Sequence, residues 1–188
     1  MPADPILKSL YHHHLDHFGE PDEGIVFDDP PPLNDTFPSR IDVFIWQPTA
    51  DCDVTTFATI GMAARPMSGS RHRAELHFGI RDSLTPANQR KVAAFMANLA
   101  IYPFYHQTSF DWWHRIRQPG KIPMFPSCPS LFFHPRFVAD GWDTVVFQDT
   151  DIRLLNIIPV TQAEYDLGSP AKALAYMADN ELDFLTPR

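Results

Sequence analysis

The chain has 188 residues and a net charge of −8 with histidine neutral, and 44% of it is hydrophobic and 13% aromatic. That length fits a single domain over 1–188, and the apolar content is ample for a core that needs no cross-links. The cationic side chains are scattered rather than gathered into a stripe, which argues against nucleic acid as a partner, and the absence of a long unbroken apolar run argues against a membrane partner.

In chain order, Pro5–Phe18 has the marks of a helix. Asp4 stands at the N-cap, Pro5 at the first helical position, and Ile6, Leu7, Leu10, Leu15 and Phe18 form an apolar stripe that Gly19 ends. This start lacks the basic, apolar and small-residue regions of a signal peptide, so a cytoplasmic protein is expected. His12, His13, His14 and His17 crowd the same segment. His13 and His17 have the i, i+4 spacing that can hold a metal, but the H-E-x-x-H pattern is missing and a solvated polar face is the simpler reading. Residues 19–40 contain Pro21, Pro30, Pro31, Pro32 and Pro38, which rule out a helix or a central strand. An extended segment is expected there, pinned to the body by Ile25, Val26 and Phe27.

Ile41–Trp46 is apolar on both faces and reads as an internal strand. Turn formers at 47–53 and 65–71 bracket a second strand, and Arg73–Ile80 alternates cleanly. There Ala74, Leu76, Phe78 and Ile80 share one face while Glu75 and His77 point to the other, which predicts an antiparallel meander ending in a half-buried strand. Thr85 and Pro86 open the longest helix, where Val92, Phe95, Met96, Leu99 and Tyr102 make a stripe that should lie across the sheet; Pro103 is expected to stop it. Further strands are predicted at 131–133, Thr144–Phe147 and 152–160, with a turn at 149–151. A closing helix begins at Ser169 and Pro170 and presents Leu174, Met177 and Leu182, and the tail at 183–188 is expected to fray. The fold class is α+β, with a mixed, mainly antiparallel central sheet and packed helices.

The richest candidate for a partner contact is Trp112, Trp113, His114 and Arg115, since Trp and Arg dominate interaction hot spots. One tryptophan should be buried and the other partly exposed. Glu75 and His77 share a strand face, and a loop histidine, His114 or His134, could join them in acid/base or metal-dependent hydrolysis. No G-x-S-x-G, P-loop or cysteine nucleophile context accompanies them, so the primary expectation is a non-catalytic chain with no cofactor. Cys52 sits at a presumed turn tip and Cys128 reads as a small packed thiol.

The stretch Thr59-Ile60-Gly61-Met62-Ala63-Ala64-Arg65-Pro66-Met67, followed by Arg73-Ala74-Glu75-Leu76, resembles the suppressor-of-fused domain. That family carries Thr-x-Gly-Met-Ser and Pro-Met before an Ala-Glu-Leu strand. The matched motif residues are Thr59, Gly61, Met62, Pro66, Met67 and Glu75, with Glu164 downstream; Ala63 stands where the family often has serine. The similarity runs from about the first helix to Glu164, and the chain looks like a single-domain, bacterial-type member. The resemblance implies a protein-binding or sequestering domain. Animal members grip an extended peptide as an added strand, and the bacterial kind suggests an immunity protein whose partner is a toxin domain or basic peptide.

Overall fold

The computed structural model describes residues 4–28, 36–136 and 141–188. Helix α1 runs Pro5–Phe18; the Asp4 carboxylate accepts from the Ile6 N–H at 3.1 Å, and Gly19, at φ 77°, returns its N–H to the Leu15 carbonyl at 2.8 Å. Among the described residues eight strands follow as one sheet: β1 Glu23–Phe27, β2 Ile41–Trp46, β3 Thr55–Ile60, β4 Arg73–Ile80, β5 Arg115–Arg117, β6 Ser130–His134, β7 Thr144–Phe147 and β8 Thr150–Val160. Their spatial order is β1-β2-β3-β4-β8-β6-β5, with β7 paired to the first half of β8. The meander β2-β3-β4 is antiparallel as expected. Among the described residues only β4 and β8 pair in parallel, and that pairing requires a long crossover, which helix α2, Pro86–Tyr105, begins. The α+β architecture with a mixed, mainly antiparallel sheet is the one the sequence predicts.

Three layers bury both faces of this sheet. On one side α2 lays Val92, Met96 and Leu99 against Val43, Ile45, Leu76, Phe78, Phe133 and Ile157. On the other, α1 packs Ile6 and Leu10 against Ile60, Ala63, Val145 and Ile152. Helix α4, Pro170–Asp179, closes the far end of that second face, setting Ala173 and Met177 on Phe132, Ile158 and Val160. This double cover corrects the reading of β4 as half-buried: Glu75 is 0% and His77 3% exposed. The alternation of β4 was real, but its polar face is roofed by α1 rather than by water.

Other departures are local. Pro103 lies inside α2, which continues to Tyr105; so near the end the proline forfeits a single intrahelical bond, and the buried Pro103 and Phe104 hold the last turn against the core. The predicted turn at 149–151 falls one residue earlier. Phe147 pairs with Thr150 across a two-residue connection in which Gln148 takes φ 53°, the left-handed geometry that tight hairpins use. A short helix α3, Gln162–Asp166, precedes α4 and went unread in the sequence. β1 is the pinned extended segment, with Ile25 and Phe27 packed on the core and Val26 exposed; the prolines 30–32 lie outside the described residues. The tail at 183–188, expected to fray, is held: Leu185 accepts from the Arg81 N–H at 2.8 Å, and Arg188 reaches the buried Glu164. Among the described residues no helix is long and apolar enough to cross a membrane.

Candidate functional site

At the end of β3 the chain makes a sharp entry into a one-turn 3-10 helix, Met62–Ala64, and Glu75 from the neighbouring strand closes it. Its Oε1 accepts from the Gly61 N–H at 2.8 Å and the Ala63 N–H at 2.9 Å, and its Oε2 accepts from the Thr59 hydroxyl at 2.7 Å. The Thr59 oxygen in turn accepts from the Leu76 N–H at 2.8 Å. Gly61 is at φ 143°, and a Cβ there would meet the Arg40 carbonyl oxygen at 2.2 Å, so only glycine passes. Burial pushes the Glu75 carboxyl up to about 7, against the hydrogen bonds from Ala63, Thr59 and Gly61 that favour its charged form. A carboxylate sealed in this way braces the turn and is withdrawn from both solvent and substrate. Glu75 is therefore neither a solvent-facing partner contact nor an accessible acid or base.

His77, two residues on, meets a group the sequence reading passed over. His14 projects from α1, and the two Nε2 atoms lie 2.9 Å apart. The Nδ1 of His14 is 2.8 Å from the Leu10 carbonyl, an oxygen that only accepts, so the proton sits on that nitrogen. His14 Nε2 then carries a lone pair and His77 Nε2–H donates to it. Burial drops His14 to about 4 and holds His77 well below the ordinary imidazole range. The cluster is thus divided: His12, His13 and His17 stay exposed as expected, while His14 is buried and joins α1 to the sheet. A signal for this did exist, since Ile6, Leu10 and His14 recur every four residues along the buried stripe. Among the described residues, no three His, Cys, Asp or Glu side chains gather to hold a metal.

The tryptophan cluster leads into β5, the edge strand that lies beyond β8 and β6. Trp112 is half-buried; its indole N–H donates to the Leu154 carbonyl at 3.0 Å and Arg153 lies over its ring at 4.5 Å. Trp113 is 44% exposed, held at φ 69°, with its ring edge-on to His134 at 4.8 Å. His114 is also exposed. Arg115 is committed inward, donating to the Gly168 carbonyl at 2.9 Å and covering the Tyr165 ring at 3.7 Å. The six residues expected to meet a partner are therefore not one site. Glu75 and His77 are interior, Trp112 and Arg115 support the edge, and Trp113 with His114 faces outward. His114 and His134 do not converge with Glu75 on a shared cleft.

The chain matches the family described as suppressor of fused protein (SUFU) over residues 38–178. It belongs to the suppressor-of-fused family. A crystal structure of a suppressor-of-fused homolog from Neisseria gonorrhoeae FA 1090 superposes with a TM-score of 0.67 at 12% identity, covering 96% of this chain and 93% of that one. A Sufu–Fu complex gives a TM-score of 0.62 at 10% identity over 95% of this chain and 83% of the other. Drosophila Suppressor of Fused gives 0.62 at 10% identity over 96% of this chain, which spans 48% of that protein's length. No curated protein sequence matches.

Within the suppressor-of-fused fold, the motif residues act mainly as architecture. Thr59, Gly61 and Glu75 form the turn closure, Met62 and Met67 are buried, and Pro66 is exposed. Glu164 caps α3, accepting from the Thr161 N–H at 2.7 Å, and binds Arg188 through both oxygens at 2.5 and 3.0 Å. With alanine at position 63, the backbone N–H alone serves Glu75.

Proposed function

We propose that this chain is a non-catalytic sequestering domain that takes a segment of one partner protein as an added strand, in the manner of an immunity protein that neutralises a toxin domain. The observation that carries the reading is Trp113, exposed beside β5, which has β6 on one side and no strand on the other among the described residues. A strand edge offers unpaired N–H and C=O groups, and an adjacent large aromatic supplies the apolar anchor that gives such pairing affinity. Family membership supports protein binding, and the complexed state of the Sufu–Fu structure is an instance of it in a relative.

The test couples partner and stability. The product of the adjacent gene is co-expressed with this chain, and growth and complex formation are measured for wild type and Trp113→Ala. Rescue of growth by wild type, with complex formation at least tenfold weaker in Trp113→Ala at unchanged melting temperature, is the expected outcome. Full binding by Trp113→Ala, or loss of binding only alongside loss of the fold, contradicts the proposed contact.

A further inference from the structure

A cavity of about 510 Å³ opens on the α1 side of the sheet, and its inner surface carries two polar side chains, His77 at 3% and Asn156 at 2% exposure. Both lack a donor. His77 Nε2–H is given to His14, so its Nδ1 carries a lone pair, and no described residue donates to that atom. Asn156 commits its Nδ2 to the carbonyls of His134 at 3.1 Å and Pro135 at 2.8 Å, which fixes the amide with Oδ1 as acceptor, again without a described donor. Neither atom is among the buried polar atoms without a partner, so both open to the cavity, where water or a donor from another molecule can reach them.

The surroundings specify the charge of those donors. Phe18 and Trp142 stand 6.0 and 5.9 Å from the His77 ring and line the same space, so its walls are partly aromatic, a surface that suits a cation. At the mouth are Asp51, Asp53 and Asp183 with a single guanidinium, Arg81, which pairs with both Asp53 and Asp183. Asp51 has no ion pair among the described residues. His17 also lines the cavity, and burial lowers its pKa, so it adds no full positive charge at neutral pH. Apolar walls and inward acceptors suit an organic cation better than a hydrated metal ion.

We propose that this cavity receives a lysine or arginine side chain of the partner protein, whose N–H groups bond to His77 Nδ1 and Asn156 Oδ1 and whose charge meets Asp51. The proposal rests on the protein-binding reading and adds a second, specificity-setting contact to it. Cys52 lines the same cavity and is exposed, whereas Cys128 is buried, so alkylation of one thiol reports occupancy.

The full chain is titrated at pH 7 with N-acetyl-lysine methylamide, N-acetyl-arginine methylamide and, as the uncharged control, N-acetyl-norleucine methylamide. The readouts are the imidazole nitrogen signals of His77 and the rate of Cys52 alkylation. A cationic probe is expected to shift His77 Nδ1 and slow Cys52 alkylation saturably, with norleucine inert and Asp51→Asn weakening the apparent affinity about threefold. Whichever of lysine or arginine binds more tightly names the partner's residue. Equal effects of norleucine, no saturable effect of either cation, or indifference to Asp51→Asn overturns the proposal. Asp51 lies on an exposed turn, so this variant is expected to fold. The strand-edge contact is tested separately at Trp113, so its failure is distinguishable from failure of the cavity.

Discussion

Glu75 accepts three hydrogen bonds in a site with no water access, so its loss should be felt as three unsatisfied donors rather than one lost side chain. Glu75→Ala leaves the Gly61 and Ala63 N–H groups and the Thr59 hydroxyl stranded, and a destabilisation of at least about 3 kcal/mol is expected in denaturant titrations. Glu75→Gln keeps the shape and both backbone acceptances, and should retain most of the stability at neutral pH. Its signature lies in the pH dependence. Burial lowers His14 to about 4 and raises Glu75 to about 7, and these two shifts act in opposite senses. For the histidine, the unfolded chain takes up its proton first, so its stabilising contribution is present above ~6.5 and is lost as pH falls through the folded value. For the glutamate, the folded chain takes up its proton first, so its contribution is present below ~4.3 and is lost as pH rises through the folded value. Between these limits the Glu75 slope opposes that of His14, and His77, which burial also holds well below the ordinary imidazole range, adds to the His14 side. Glu75→Gln removes the opposing slope, so between about pH 6.5 and 4 its stability should fall by about 3 kcal/mol more than that of the wild type; a flat profile in the variant contradicts the buried histidine pair.

Among the elements, the segment leading into β5 separates structural from outward-facing aromatics. Trp112 has its indole N–H satisfied by Leu154 and its face covered by Arg153, so Trp112→Ala is expected to cost about 3 kcal/mol of stability, whereas Trp113→Ala should change it by less than about 0.5. Thermal unfolding of the two variants side by side checks this. The same contrast shows what the sequence could disclose. Two adjacent indoles flanked by polar residues predicted one tryptophan buried and the other partly exposed; Trp112 is only half-buried and Trp113 is exposed, an order that depends on the φ of 69° at Trp113, which no periodicity announces. For α1 and β4 the periodicities were legible and the partner was not. Alternation in β4 correctly set Glu75 and His77 opposite Leu76 and Phe78, but whether that face meets water is decided by where α1 docks, a long-range contact. α3 was missed because its five residues are too few to show a period, although Thr161 and Glu164 spell its capping box.

Across the whole molecule, the C-terminal residues fasten distant parts of the chain. Arg188 supplies the cationic partner of Glu164, which is 2% exposed, so Arg188→Ala leaves a buried carboxylate uncompensated and is expected to cost about 3 kcal/mol by chemical denaturation. Composition at 183–188 suggested fraying because the partners, Arg81 and Glu164, are remote in sequence. The overall architecture was more legible than the site, since apolar stripes and turn formers repeat along the chain while a binding edge is defined by what fails to pair with it. The central claim is that β5 accepts a partner strand. Amide hydrogen exchange across Arg115–Arg117, compared between the free chain and its complex with the co-expressed partner, tests it directly. Amides of β5 that exchange rapidly alone should become strongly protected in the complex; a stable complex that leaves every β5 amide as exposed as before would contradict the account.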